Sequence, residues 1–351
     1  MKEKIRIGKH HIGPGSPTYC IAELSANHNQ KFEEAVSLIK AAKRAGADAI
    51  KLQTYTPDTL TIPCDNECFF AGTGTLWEGN NLYDLYREAY TPWDWQPDLK
   101  KTANRHGMDL FSTPFDKTAV DFLEDLSVPA YKIASFELVD LPLIEYVAKT
   151  GKPVILSTGM ANLNEIDEAV QTVRKTGNRQ VALLKCTSAY PAPVEEMNLL
   201  TIPDMRKRYQ VPIGLSDHTL DAVVPTVAVA LGACIIEKHL TLSRKISGPD
   251  SAFSLEPDEF SSMVHAVRMT ERAIGRVRYG VLEHERQSVL FRRSLFAVQD
   301  IRKGEMFNTG NVRSIRPGTG LAPKYYNEIL KRTAKRDIPQ GSPLLISDLE
   351  D

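Results

Sequence analysis

Eight short apolar runs, each followed by a helical pattern, constrain the fold of this chain more than any other feature. The runs fall at 18–24 (TYCIAEL), 49–55 (AIKLQTY), 108–113 (MDLFST), 130–135 (AYKIAS), 153–158 (PVILST), 181–187 (VALLKCT), 212–216 (PIGLS) and 234–240 (CIIEKHL). Helical patterns lie between them at 33–45, 118–126, 141–150, 164–176, 198–209, 221–232 and 257–274, with Gly46, Gly151, Gly177 and Gly232 placed like C-terminal caps. Eight β/α units predict an α/β fold of the TIM (β/α)8 barrel type. A doubly wound sheet is the alternative, but no G-x-G-x-x-G follows any strand, and GTGT at 72–75 lacks both the third glycine and the strand–helix context of a dinucleotide site.

The 351 residues accommodate one barrel of roughly 250 residues plus a small appendage. The barrel is expected over 1–275, a charged linker over 276–290, and a second, β-rich domain over 291–351, where short strands and turns alternate in SLFAVQDIRKGEMF, VRSIRPGTGLAP and AKRDIPQGSPL. That tail has few apolar residues for a core of its own and is expected to dock on a partner surface. Residues 57–81, after the second strand, have no periodicity and read as a long βα loop that either shapes a substrate site or is a surface loop.

Charge excludes whole classes of function. Lys and Arg number 43 against 44 Asp and Glu, so the basic excess of a nucleic-acid binder is missing. The N-terminus carries no apolar run of signal-peptide length, and no stretch of about 18 apolar residues is present to span a bilayer. The expected location is the cytoplasm, with no membrane partner. Of the five cysteines, Cys20, Cys186 and Cys234 sit in apolar strand-like runs and are read as free thiols, while Cys64 and Cys68 lack the second Cys or His pair of a zinc knuckle.

In a TIM barrel the chemistry sits at the C-terminal strand ends. Ionisable and hydroxyl residues gather there in this sequence: Glu23 with Asn27 and His28, Lys51 with Gln53, Thr113 with Asp116, Lys132 with Ser135 and Glu137, Ser157, Thr187 with Ser188 and Tyr190, Ser216 with His218, and Glu237 with His239. The side-chain period of two puts Ser216 and His218 on one face, and Glu237 and His239 on one face of the next strand. Two imidazoles at one mouth point to a divalent metal. No third protein ligand is evident, which leaves positions for water and substrate oxygen and suits Mn²⁺ or Mg²⁺, with Co²⁺ as an alternative, acting as a Lewis acid. Lys51 and Lys132 lie in apolar strands, where an unpaired ammonium is costly. With the serines of the rim they describe a cradle for phosphate and carboxylate; the other arrangement pairs each lysine internally with Glu23, Glu137 or Glu237.

Together IAELSANHNQ (21–30), KLQTY (51–55), FSTPFD (111–116), YKIASFEL (131–138), LSTGMA (156–161), CTSAYPAP (186–193), GLSDHT (214–219), EKHLTL (237–242) and GPDSAFSLEP (248–257) give the chain a clear resemblance to the sialic acid synthase family over essentially its full length. The tail resembles the family's antifreeze-like, or SAF, domain. Within the family the similarity is greatest to the pseudaminic acid synthases, through GTLWEGNNLYDLYREAYTPWDWQ (74–96), CTSAYP and GPDSAFSLEP, with Ser188 and Ser251 where N-acetylneuraminate synthases usually have asparagine and histidine.

The resemblance implies condensation of phosphoenolpyruvate with 2,4-diacetamido-2,4,6-trideoxy-L-altrose, giving a product destined for glycan or flagellin modification. N-acetylneuraminate or legionaminate synthesis is the same chemistry on another sugar. It implies metal ligands at His218 and His239, and phosphoenolpyruvate contacts at Lys51, Thr113, Lys132, Ser135, Ser157, Ser188 and Ser216. It implies sugar contacts at Glu23, Gln53, Tyr190 and Asp250, with Glu137 on the same rim, and leaves proton transfer between Glu23 and Glu237. Arg316 matches an arginine that reaches the partner's barrel mouth in a domain-swapped homodimer. Two other readings compete: a Schiff-base aldolase using Lys132 or Lys238, although Lys238 alternates with Glu237 and His239 and should face outward, and a non-catalytic carbohydrate- or ice-binding protein.

Overall fold

In the computed structural model, which describes residues 4–350, the chain opens on an antiparallel hairpin, β1 (Ile5–Ile7) and β2 (His10–Ile12). Eight parallel strands follow: β3 (Tyr19–Glu23), β4 (Ala49–Thr54), β5 (Asp109–Pro114), β6 (Tyr131–Ile133), β7 (Val154–Ser157), β8 (Val181–Cys186), β9 (Ile213–Asp217) and β10 (Ile235–His239). They close in sequence order, β10 pairing with β3, into the barrel that the alternation predicts.

Helices lie between the strands: α1 (Phe32–Arg44), α2 (Pro57–Leu60), α3 (Leu82–Ala89), α4 (Gln96–Arg105), α5 (Lys117–Asp125), α6 (Leu141–Lys149), α7 (Leu163–Lys175), α8 (Thr201–Tyr209), α9 (Val223–Ala230) and α10 (Pro257–Ile274). Their ends follow local chemistry. Asp116, Asp140 and Asn162 accept hydrogen bonds from first-turn amides of α5, α6 and α7. Gly46, Gly151, Gly177 and Gly232 take positive φ just past α1, α6, α7 and α9, where a side chain would be strained. Helix α8 starts three residues later than its pattern, after Asn198 at φ 43 interrupts the chain.

The hairpin is absent from the sequence reading because its strands are only three residues long. Ile5, Ile7 and Ile12 are buried, and Asp109 at the start of β5 accepts hydrogen bonds from His10 and from Tyr19 at the start of β3, each at 2.8 Å. The hairpin therefore closes the N-terminal end of the barrel and leaves the opposite end for the long loops. One of these is the insertion after β4, which contains α2, a single 3₁₀ turn at Glu67–Phe69 and a bridge between Phe70 and Asn81.

Outside the lumen, between β9 and β10, lies a fully buried ion pair. Lys238 donates to Asp217 and to the carbonyl of Thr219, and Asp217 also accepts from the Thr219 amide at 2.9 Å. Asp217 faces Lys238 across the ladder, as Ser216 faces Glu237. The pair thus clamps the two strands that carry the histidines. Removing one partner strands the other charge in an apolar site. Lys238→Met should lower unfolding free energy by about 3–5 kcal/mol, and Asp217→Leu combined with Lys238→Met should recover most of it; urea denaturation of the two variants checks this.

A second compact unit begins at Arg276. Its first residues form two exposed 3₁₀ turns, Glu283–Glu285 and Gln287–Phe291. Then β11 (Ser294–Ala297) pairs antiparallel with β12 (Val312–Ile315), followed by α11 (Tyr326–Ile329). The expectation that this tail lacks its own core is corrected. Leu295, Ala297, Ile301, Phe307, Val312, Ile329, Ala334, Ile338 and Leu344 form one buried cluster, because short strands and turns fold inward around Phe307. The AKRDIPQGSPL segment joins only through isolated bridges such as Ile301 with Ile338, since Pro339 and Gly341 break any longer ladder. Among the described residues no helix is long and apolar enough to cross a membrane.

Candidate active site

The alternation of side chains along the parallel strands brings four charged residues into the lumen. Glu23 from β3, Lys51 from β4, Lys132 from β6 and Glu237 from β10 are each 5% exposed or less. Lys51 pairs with Glu23 and stands 3.6 Å from Glu237; Lys132 stands 3.8 Å from Glu237. This is the internal pairing foreseen as the second arrangement for the lysines, without Glu137, so any anion bound here must share Lys51 and Lys132 with two carboxylates. Hydroxyls complete the network: Thr113 accepts from Lys51 at 3.3 Å, Ser157 from Lys132 at 2.6 Å, and Ser216 donates to Glu237 at 3.2 Å.

The four groups respond differently to burial. Burial raises the Glu23 carboxyl despite Lys51 beside it. At Glu237 the same burial is outweighed by Lys132 and Lys51, which hold it below its ordinary value. Burial depresses Lys132, while Lys51 is held up by Glu23 and Glu237. Glu23 is therefore the carboxyl readiest to carry a proton, and Lys132 the ammonium readiest to lose one.

Above this floor stand the two imidazoles, with ring centroids 5.4 Å apart. Nδ1 of His218 lies 3.0 Å from the Thr187 carbonyl, which only accepts. Nδ1 therefore carries a proton, and although burial opposes it, Cys186 and the Thr187 carbonyl raise the His218 pKa above its ordinary value, so Nε2 offers a lone pair in the neutral form of the ring. Burial, with His218 beside it, keeps His239 well below its ordinary range, a neutral imidazole whose buried Nδ1 has no hydrogen-bond partner. Oε2 of Glu237 and Oε2 of Glu137 are likewise buried and unpaired. An orphaned imidazole nitrogen next to a second lone pair is a donor set suited to a divalent cation. Among the described residues no group of three or more His, Cys, Asp and Glu converges on one point; a metal held by His218 and His239 would take its remaining ligands from water and substrate.

Tyr190 packs 4.4 Å from His218, Phe253 4.9 Å from His239, and the two aromatic rings 4.9 Å from each other. Asp250 accepts from Ser25, which in turn accepts from Gln53 at 2.9 Å, so Gln53 and Asp250 share one hydrogen-bonded chain. Ser135 accepts from the Gly159 amide at 3.1 Å. A Cβ on Gly159 would lie 2.2 Å from the Ser188 hydroxyl and 2.7 Å from that of Ser135, so only glycine leaves the space between these two serines open. Arg316 belongs to the second unit, exposed just after β12.

Some strand-end polar residues serve structure instead. Asp116 caps α5. Asn27 ties its loop to Leu240 and Ser254, and His28 is buried against Thr91 and Trp95. Lys238 faces away from the lumen, sealed by Asp217 and Thr219. Conversely Ser25, Gly159, Phe253, Trp77 and Cys186, whose Sγ is 4.0 Å from His218, escaped the sequence reading. Their motifs were visible, but no local signal separates these residues from loop and core positions.

With this geometry in view, the comparisons with known proteins are decisive. Residues 38–279 match the NeuB family, and residues 292–350 match the SAF domain. The chain belongs to the NeuB family. It is 46% identical to the pseudaminic acid synthase of Campylobacter jejuni subsp. jejuni serotype O:23/36 (strain 81-176), over 94% of this chain and 96% of that protein. It is 44% identical to the pseudaminic acid synthase of Helicobacter pylori (strain ATCC 700392 / 26695), over 95% and 98% respectively. Among solved structures, the N-acetylneuraminic acid (sialic acid) synthetase from Leptospira borgpetersenii serovar Hardjo-bovis in complex with citrate is 31% identical with a TM-score of 0.72, covering 82% of this chain and 95% of that one. The NeuB-family barrel and SAF tail expected from the motifs are thus those observed.

One carboxyl of this NeuB-family site reports on stability. Burial raises Glu137 from 4.5 to about 7, so the folded protein holds a proton there that the unfolded chain has lost. Stability from this source is complete below about pH 4.5 and declines as pH rises through about 7. A shift of this size corresponds to roughly 3 kcal/mol. Glu137→Gln should therefore raise Tm at pH 8 and flatten its dependence between pH 5 and 8, as thermal melts across that range will show.

Proposed function

We propose that this protein is a pseudaminic acid synthase, condensing phosphoenolpyruvate with 2,4-diacetamido-2,4,6-trideoxy-L-altrose to release phosphate. The observation that carries the reading is the buried Lys51–Lys132 floor beneath the paired imidazoles of His218 and His239, in a chain 44–46% identical to relatives of that name. Lys51 and Lys132, with Thr113, Ser135, Ser157, Ser188 and Ser216, hold the phosphate and carboxylate. Gln53, Tyr190, Glu137 and Asp250 receive the sugar. His218 and His239 hold a divalent cation, Mn²⁺ or Mg²⁺, which when bound supplies Lewis-acid polarisation of the sugar aldehyde.

The π electrons of the enol C2=C3 bond form the new bond from C3 to the aldehyde carbon, while the carbonyl π pair moves onto the aldehyde oxygen, which takes up a proton to become a hydroxyl. Positive charge develops at C2 beside Glu23 and Glu237. Water adds to C2, and its proton passes to one of these carboxylates. Loss of phosphate through C–O cleavage then leaves the 2-keto acid. Arrival of a multiply charged anion in a lumen with two ammoniums and two carboxylates favours protonation of one carboxyl, and Glu23, already raised by burial, takes that part. Fixed ammonium and hydroxyl donors of this kind contribute about 3 kcal/mol each to the transition state.

Residues 1–275 carry the chemistry in this reading, 276–290 form a tether, and 291–351 bring Arg316 to the partner's barrel mouth in a domain-swapped homodimer. The enzyme works in the cytoplasm, and its product feeds glycan or flagellin modification.

Phosphate release should occur with phosphoenolpyruvate, Mn²⁺ and the altrose sugar, stop with EDTA, and be far slower with N-acetylmannosamine. Activity that survives the chelator, or borohydride trapping of a pyruvate adduct on Lys132, would overturn the mechanism in favour of an aldolase. His239→Ala and Arg316→Ala should each be inactive yet folded, and mixing the two should restore turnover in heterodimers, measured by coupled phosphate assay. No recovery in mixed dimers would sink the role of Arg316 across subunits.

A further inference from the structure

The insertion after β4 spends one aromatic side chain on the site. Residues 72–80 are exposed on every side except at Trp77. Trp77 packs 5.6 Å from Tyr190 and 6.3 Å from Phe253, the two rings that flank His218 and His239. Its indole N–H donates to the Pro249 carbonyl at 2.9 Å, one residue before Asp250. The turn that carries it is closed on itself: the Gly74 amide donates to Glu78 at 2.8 Å and the Gly79 amide to the Ala71 carbonyl at 3.0 Å. With its one polar atom satisfied, the ring offers only carbon to the site. It stands one ring further from the imidazoles than Tyr190 does, and it is held in place from both sides.

We propose that Trp77 determines sugar specificity by forming the apolar wall against the end of the sugar remote from its aldehyde, where the C6 methyl and the 4-acetamido methyl lie. This rests on the reading of the site as a synthase for a diacetamido-trideoxy sugar. The chemistry is selective because that sugar presents methyl groups where N-acetylmannosamine presents hydroxyls. An aromatic face gains from covering a methyl, whereas a hydroxyl placed against it loses hydrogen bonds to water. A single methyl in an apolar pocket discriminates by roughly 10–200-fold.

The test compares wild type, Trp77→Ala and Trp77→Phe with both sugars. Trp77→Ala should lower kcat/KM for the altrose sugar by roughly tenfold or more, through KM for the sugar, without a matching fall for N-acetylmannosamine, so that the preference between the sugars narrows while KM for phosphoenolpyruvate holds. Trp77→Phe, which keeps an aromatic face but not the N–H, should retain most of the preference. Equal losses for both sugars and for phosphoenolpyruvate would reduce Trp77 to a loop anchor and overturn the proposal, as would no loss at all. Binding read without turnover separates this from the proposed activity. In the presence of phosphoenolpyruvate, the altrose sugar should quench tryptophan emission of the wild type and leave that of Trp77→Phe unchanged, even if no phosphate is released. Calorimetric binding of the sugar with equal affinity to wild type and Trp77→Ala would refute the wall whatever the assay of activity shows.

Discussion

Everything at the mouth of this barrel is built over a buried knot of charge in which Lys51 touches Glu23 and both lysines approach Glu237. Taking four ions out of water costs several kcal/mol each, and their mutual attraction offsets this only when the geometry is good and the hydroxyls around them are hydrogen-bonded. An apolar core would be at least as stable. The knot therefore serves as a preorganised polar floor, fixed before a substrate arrives. Closure into a ring makes it feasible. Lys51 lies one strand from Glu23 and two from Glu237, whereas Lys132 on β6 meets Glu237 on β10 across the lumen, four strands away round the ring. The closed ladder leaves no edge through which water could screen the charges.

On this floor the site has two walls of different character. One is hydroxyl-rich, with Ser135 and Ser188 converging on Gly159, whose missing side chain is itself part of the shape. The other is aromatic, from His218 and His239 through Tyr190 and Phe253 to Trp77. The first suits an anion and the second a sugar with apolar substituents. Behind the histidines the Asp217–Lys238 pair holds β9 and β10 in register on the outer face, so the geometry of the imidazoles is set by a contact that never meets the lumen.

The barrel strands were legible to within a residue or two, because apolar runs bounded by glycine and proline are a local property of the chain, and so are the capping residues that end the helices. The period of two also placed His218 with Ser216, and His239 with Glu237, on shared faces. The hairpin at the base was not legible, since three-residue strands have no period to detect. Nor was the tail's core: its apolar residues are scattered between turns, and only the folded path brings Leu295, Phe307 and Leu344 together.

The amino-acid sequence alone thus determined the fold class, the end of the barrel that bears the chemistry, and most of the polar residues gathered there. Folding decided how those residues divide their work. Lys51 meets Glu237 rather than only an anion, Asn27 and His28 become struts, and Trp77 and Gly159 become parts of the site. The reason is physical: side-chain direction along a strand repeats every two residues and can be counted, whereas contacts across a barrel lumen join residues far apart in the chain, whose distances exist only once the ring has closed.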